Sequence, residues 1–293
     1  TGRLISLVEN DPGRAADVLR AVYPASANAW ITGLTGAPGA GKSTLADALV
    51  AGWRARGRRV AVLAVDPTSP FTGGALLGDR IRMQRGAADP DVLVRSMATR
   101  GWLGGMSQAT ERVATLCAGL GFDEILIETV GVGQSEVDYA AAADTTIVVV
   151  TPGWGDGVQV AKAGVMEIGG VIVVNKADRG GAAESVRELE EMLRLVPAAG
   201  WQPPVVTTAA TLEQGIAELA AALGDHRRVI DAGGSGERLA ARRIRDLRRV
   251  LVESLEQRLD PMLAAEMGRQ IEVEVASGAT DPWTAAARLL DGL

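Results

Sequence analysis

Short apolar-rich segments recur along the chain: Ala29–Leu34, Val60–Val65, Val92–Arg95, Phe122–Gly131, Asp144–Thr151, Val171–Val174 and Val205–Ala210. Their cores are continuous rather than alternating, which predicts strands of a parallel sheet buried on both faces. Between them lie segments of helical character, at Leu45–Val50, Ser107–Leu120, Val158–Ile168, Ala183–Leu195 and Gly215–Leu223. Strand alternating with helix predicts an α/β, doubly wound, mostly parallel sheet. Ahead of it, residues 1–28 predict two short helices. Asp11 is placed to cap the second, with Pro12 at its first position.

The chain past Gly224 has another pattern. Gly233-Gly234-Ser235-Gly236 reads as a joint. Leu239, Ile244, Leu247, Leu251, Leu255 and Leu259 then recur at helical steps, with Arg242, Arg243, Arg245, Arg248 and Arg249 between them as a solvated face. Ile271-Glu272-Val273-Glu274-Val275 alternates as a strand would. Asp281-Pro282 opens a last helix. The expected domains are 1–28, 29–224 and 225–293.

Composition narrows the class. Apolar residues make up 47% and charged residues 23% of 293, a globular balance. A formal charge of −6 speaks against nucleic acid as a partner. One cysteine, Cys117, and one histidine, His226, cannot form an internal disulfide or a soft-metal cluster. No apolar run spans a bilayer and no signal pattern opens the chain, so a cytoplasmic protein without a membrane partner is expected. The opening at Thr1-Gly2 leads us to expect that residues precede it.

The chemistry is carried by Gly36-Ala37-Pro38-Gly39-Ala40-Gly41-Lys42-Ser43, followed by Thr44. A strand precedes it and a helix follows, the setting of a P-loop. Glycines let backbone N–H groups close around phosphate, and the helix N-terminus adds its partial charge. Lys42 reaches the β and γ phosphates, and the Ser43 hydroxyl is a Mg²⁺ ligand. Asp66 ends the second strand, where it either faces the metal and phosphates or caps the Pro67–Pro70 turn. The Gly-rich stretch 71–83, with Asp79, and the loop 99–105 suit segments that reorder with the phosphate state.

Glu128 ends another strand, with Gly131 three residues on: the Walker B arrangement of a carboxylate near Mg²⁺ and an N–H near the γ-phosphate. Val132 cannot orient a water and Gln134 is a weak substitute. Slow intrinsic hydrolysis, of the order of 10⁻² to 10⁻⁴ s⁻¹, is therefore expected. Asn175-Lys176-Ala177-Asp178 selects the base. Asp178 accepts from the N1–H and 2-amino group of guanine, donors that adenine lacks, so GTP and GDP are favoured over adenine nucleotides. Lys176 would cover the base and Asn175 would tie loops together. In Thr208, Ala209 and Ala210, N–H groups near Ala209 would meet the guanine carbonyl.

The connecting loops carry a family resemblance. Segments 65–74, 77–83 and 128–136, with Asn175–Asp178, resemble the MeaB/ArgK GTPases over nearly the whole chain. That resemblance implies the SIMIBI class of P-loop fold, shared with signal-recognition and nickel-insertion GTPases. It implies Asp66, Asp79 and Glu128 around Mg²⁺ and a coupling switch containing Gly155, Asp156, Gln159 and Lys162. It also implies a C-terminal helical dimerisation arm that includes Ile271–Val275, against the alternation there. The implied role is a homodimeric chaperone that gates cofactor loading and protection of an adenosylcobalamin-dependent acyl-CoA mutase. Trp102, Trp154 and Gly157 depart from the family pattern. A nickel-insertion metallochaperone and a kinase of a transport protein are the alternatives.

Overall fold

The computed structural model describes residues 1–66, 89–98, 108–129, 143–153, 169–195, 200–233 and 235–290. It divides into two compact units, Thr1–Leu239 and Ala240–Leu293. The first unit opens with helices α1 (Gly2–Asn10) and α2 (Pro12–Val22), and the Asp11 side chain accepts from Arg14 N–H at 3.0 Å, as a cap should. Strands β1 (Trp30–Gly36), β2 (Val60–Asp66), β3 (Val92–Ala98), β4 (Glu124–Glu128), β5 (Thr145–Val150), β6 (Val171–Asn175) and β7 (Val205–Thr208) follow. Helices α3 (Lys42–Arg54), α4 (Gln108–Gly119), α5 (Ala182–Leu195) and α6 (Ile216–Ala232) are interleaved with them.

The strands form one sheet in the order β3-β2-β4-β1-β5-β6-β7, and every pairing is parallel. Each apolar run is shared between two layers by the pleat. Ala61, Leu63 and Val65 of β2 join Ile125 and Ile127 of β4 in a core with α1, α2 and α4. Val60, Val62 and Leu126 point the other way, into a core with α3 and α6. Ile172 and Val174 of β6 pack on Leu189 and Leu193 of α5. Burial on both faces is why these runs carry no polar alternation.

Gly224 lies inside α6, whose Leu219, Ala222, Leu223 and His226 are buried, so that helix runs on past residue 224. The long helix α7 (Ser235–Ala264) continues from one unit into the next, and α8 (Glu266–Ala276) and α9 (Pro282–Leu290) complete the second. Ile271, Ala285 and Leu289, with Met262, Leu263 and Val275, form its small core, and Arg288 pairs with Glu274 at 2.6 Å. The five-residue alternation at 271–275 is helical. Ile271 and Val275 are four apart, hence on one helix face, while Val273 is exposed. Asp281 caps α9 by accepting from the N–H groups of Trp283 and Thr284, both at 3.0 Å.

Of the five arginines expected on a solvated face of α7, Arg243, Arg245 and Arg248 are exposed and two depart from it. Arg242 is buried and Arg249 largely covered, whereas Ile244, Leu247, Leu251, Leu255 and Leu259 are exposed. Among the described residues no helix is long and apolar enough to cross a membrane.

Candidate nucleotide site

The site lies at the carboxyl ends of the strands, where the chain reverses direction across the sheet. β1 sits between β4 and β5, with Leu34 opposite both Glu128 and Ile147. Ligands of open parallel sheets bind at such a crossing. The loop between β1 and α3 runs there close against its neighbours. Gly36 has φ 139° and lies against β5, where a Cβ would collide with the Val149 carbonyl. Gly41, at φ 90°, caps α3, and a Cβ there would collide with Asn175 Nδ2. Ala40 N–H donates to the Ala37 carbonyl at 3.1 Å and closes the loop. The first intrahelical bond, Leu45 N to Gly41 O at 3.0 Å, leaves the N–H groups that precede it at the mouth of the helix.

Lys42 is buried, and its Nζ donates to the carbonyls of Gly36 (2.6 Å) and Ala37 (3.1 Å). The ammonium is thus held inside the curve of the loop, beside where a phosphate would rest. The Ser43 hydroxyl donates to Glu128 Oε1 at 2.6 Å. An alcohol and a carboxylate so close together form a donor set suited to a hard cation such as Mg²⁺. Pro38, Gly39 and Thr44 stand exposed at the rim. Asp66 ends β2, two residues beyond Ala64, which lies opposite Glu128. Asp79, Gly131, Gln134, Gly155, Asp156, Gly157, Gln159 and Lys162, with Trp102, Trp154 and the side chain of Asp66, lie outside the described residues.

On the far side, β6 delivers Asn175, 2% exposed, into the junction of three loops. Its Nδ2 donates to the Ala40 carbonyl at 2.8 Å. Its Oδ1 accepts from Thr208 Oγ1 at 3.0 Å and from Ala210 N–H at 3.2 Å. Lys176 takes a left-handed backbone, φ 60°, and its Nζ donates to the Gly39 carbonyl at 2.6 Å. Asp178 is exposed at the rim. The N–H groups of Ala209 and Ala210 are engaged within the chain. Ala209 N–H donates to Gln214 O at 3.1 Å and Ala210 N–H to Asn175. The loop after β7 folds back on itself, and both N–H groups have partners within the chain.

One contact at the site has no signature in the pattern. Thr129 N–H donates to the Leu34 carbonyl at 3.0 Å, and its hydroxyl lies 3.1 Å from that of Thr35, fastening the end of β4 to the end of β1. A threonine after an apolar strand is too common to mark it.

Residues 1–264 match the model of the family described as methylmalonyl-CoA mutase-associated GTPase MeaB. The chain belongs to the MeaB family. Among its relatives, a candidate GTPase of Pyrococcus abyssi is 46% identical over 295 residues, covering 99% of this chain and 91% of that one. The GTPase ArgK of Escherichia coli is 38% identical over 225 residues, 75% of this chain and 68% of ArgK. The mitochondrial methylmalonic aciduria type A homolog of Caenorhabditis elegans is 32% identical over 271 residues, 88% and 67% of the two chains. The solved structure of a LAO/AO transport system kinase superposes with a TM-score of 0.71 at 27% identity, covering 99% and 91%. HypB of Helicobacter pylori, solved with nickel, is similar in fold, with a TM-score of 0.51 at 15% identity over 73% of this chain and 93% of HypB. This MeaB-family chain is therefore a P-loop GTPase, and its site takes a guanine nucleotide.

Proposed function

We propose that this GTPase gates the loading and protection of cofactor on an adenosylcobalamin-dependent acyl-CoA mutase, of the methylmalonyl-CoA type or a close relative. The observation that carries the reading is the family match over residues 1–264, whose description names a mutase-associated GTPase. The Caenorhabditis elegans relative, named for methylmalonic aciduria, supports it. In this reading Gly36–Thr44 cradle the phosphates, with Lys42 leaving its loop carbonyls to meet them. Asn175, Lys176 and Asp178 hold the guanine, with Thr208, Ala209 and Ala210 shaping its wall. Ser43 and Glu128, with Asp66 and Asp79, would hold Mg²⁺, which when bound neutralises charge on the β and γ phosphates. Gly131 belongs at the γ-phosphate, and Asp156, Gln159 and Lys162 couple the site to the mutase. The protein works in the cytoplasm as a homodimer, without nucleic acid or membrane.

Steady-state GTP hydrolysis, measured alone and with a B12 mutase added, tests the reading. Intrinsic turnover of the order of 10⁻² to 10⁻⁴ s⁻¹ is expected, rising at least about tenfold with the cognate mutase. A rate that no mutase changes would remove the client. A second reading, phosphoryl transfer to a transport protein, draws on the likeness to the LAO/AO transport system kinase. Radiolabel passing from the γ-phosphate of GTP to a binding protein would favour it. The likeness to HypB shows fold only, and one His and one Cys supply no nickel cluster.

A further inference from the structure

Two threonines join the ends of β1 and β4 on the face of the sheet turned away from α3. Along β1, Leu34 enters the core with α3 and α6, and Ile31 the core with α1, α2 and α4. The pleat alternates faces, so Thr35 lies on the Ile31 side. Along β4, Leu126 and Glu128 fall on the α3 side, Ile125 and Ile127 on the other, and Thr129 continues the latter row. The Thr129 hydroxyl donates to Thr35 Oγ1 at 3.1 Å. It also lies 3.4 Å from the Leu34 carbonyl, which accepts the Thr129 N–H at 3.0 Å. Thr35 is 1% and Thr129 3% exposed.

Packing does not account for these hydroxyls. Their face is otherwise built of Ile31, Ile125 and Ile127, where valine would suit a buried strand with no polar atom to desolvate. What distinguishes the two positions is their neighbours. Thr35 precedes Gly36, whose carbonyl accepts from Lys42 Nζ, and Thr129 follows Glu128, whose Oε1 accepts from the Ser43 hydroxyl at 2.6 Å. The ladder between β1 and β4 ends at Leu34 opposite Glu128, so the hydroxyl bond carries their register one residue further. A hydrogen bond fixes distance and direction there, whereas apolar contact is non-directional.

We infer that Thr35 and Thr129 are positioning residues for the metal: their hydroxyl bond holds the Glu128 carboxylate in register with the loop that carries Ser43, so that alcohol and carboxylate stand together for Mg²⁺. The inference rests on Ser43 and Glu128 being the metal end of the site, as proposed above. Contacts of this kind tune metal affinity by orienting the ligands.

The test is a titration of Mg²⁺ into the full chain loaded with mant-GppNHp, a fluorescent non-hydrolysable GTP analogue. Thr35→Val and Thr129→Val are each expected to raise the half-saturating Mg²⁺ concentration about tenfold, while changing affinity for the analogue in EDTA by less than about twofold. The double variant should shift no further than either single one, because the same bond is broken in all three. Thr129→Ser, which returns the hydroxyl, should come within about twofold of the wild type. Equal weakening with and without Mg²⁺ would show that the valines merely loosen the loop, and would overturn the inference. Glu128→Gln separates this outcome from the site assignment beneath it, and should raise the Mg²⁺ requirement at least as far as the valines do. If Glu128→Gln does so and the valines do not, the positioning role falls alone. If Glu128→Gln leaves the requirement unchanged, the metal end is misassigned and the inference falls with it. Should a valine variant fail to fold, Thr129→Ala breaks the same bond and is read in its place.

Discussion

Asn175 is the side chain on which the phosphate and base loops meet. It donates to Ala40 of one and accepts from Thr208 and Ala210 of another, with almost no exposure. Asn175→Ala strands these groups in a buried place, each at about 1–3 kcal/mol. We expect a loss of about 2–4 kcal/mol in urea unfolding and at least about a tenfold fall in GTP affinity by calorimetry. Glu124 behaves differently. It opens β4 with its side chain 8% exposed, 3.1 Å from Arg227. Burial pushes its carboxyl up from 4.5 to about 7, against the opposing pull of Arg227 and Arg58. A raised carboxyl favours the neutral form in the folded state. Its contribution is full below the ordinary carboxylate range and is lost as pH rises through about 7. Wild-type unfolding free energy should therefore fall by about 1–1.5 kcal/mol from pH 6 to pH 8 on this account. Glu124→Gln should flatten that part of the profile; an unaltered slope would contradict the assignment.

At the scale of elements, the P-loop is shaped by its neighbours as much as by its own glycines. Gly36 is required because β5 passes directly beside it, so the constraint comes from Val149, distant in sequence. Gly36→Ala would combine a backbone at φ 139° with a clash against fixed main chain. A cost of the order of 3 kcal/mol is expected in denaturant unfolding. Gly39→Ala, where no atom lies within 4 Å of the new Cβ, should cost about 1 kcal/mol from its φ of 75°. Equal costs at the two positions would refute the close-approach argument. The strand–loop–helix order was legible because motif and apolar run reinforce one another. The stretch 271–275 was ambiguous because five residues satisfy both a period of two and a spacing of four.

For the whole molecule, the exposed apolar row on α7 is the feature that one chain leaves unsatisfied. Ile244, Leu247, Leu251, Leu255 and Leu259 face outward together, more apolar surface than a lone helix usually shows. A second copy would cover it, in keeping with the proposed homodimer. Leu251→Glu should then shift sedimentation from dimer to monomer at micromolar protein, with GTP binding retained. A wild-type monomer across that range would refute the dimer.

The sequence by itself determined that seven apolar segments form a nucleotide-binding α/β sheet, because buried parallel strands and phosphate loops need few residue types at fixed local spacing. It also singled out the residues proposed to meet phosphate and guanine, for those candidates follow from short motifs. Only the tertiary structure decided the strand order, which inserts β4 between β2 and β1 and so brings Glu128 to Ser43. It decided that the amides of Ala209 and Ala210 are already engaged, and that Arg242 is covered while its leucine neighbours are not. It alone brought Trp30, Asp144 and Arg238 together. These are contacts between residues far apart in the chain, and no local pattern records what a side chain meets once distant segments pack.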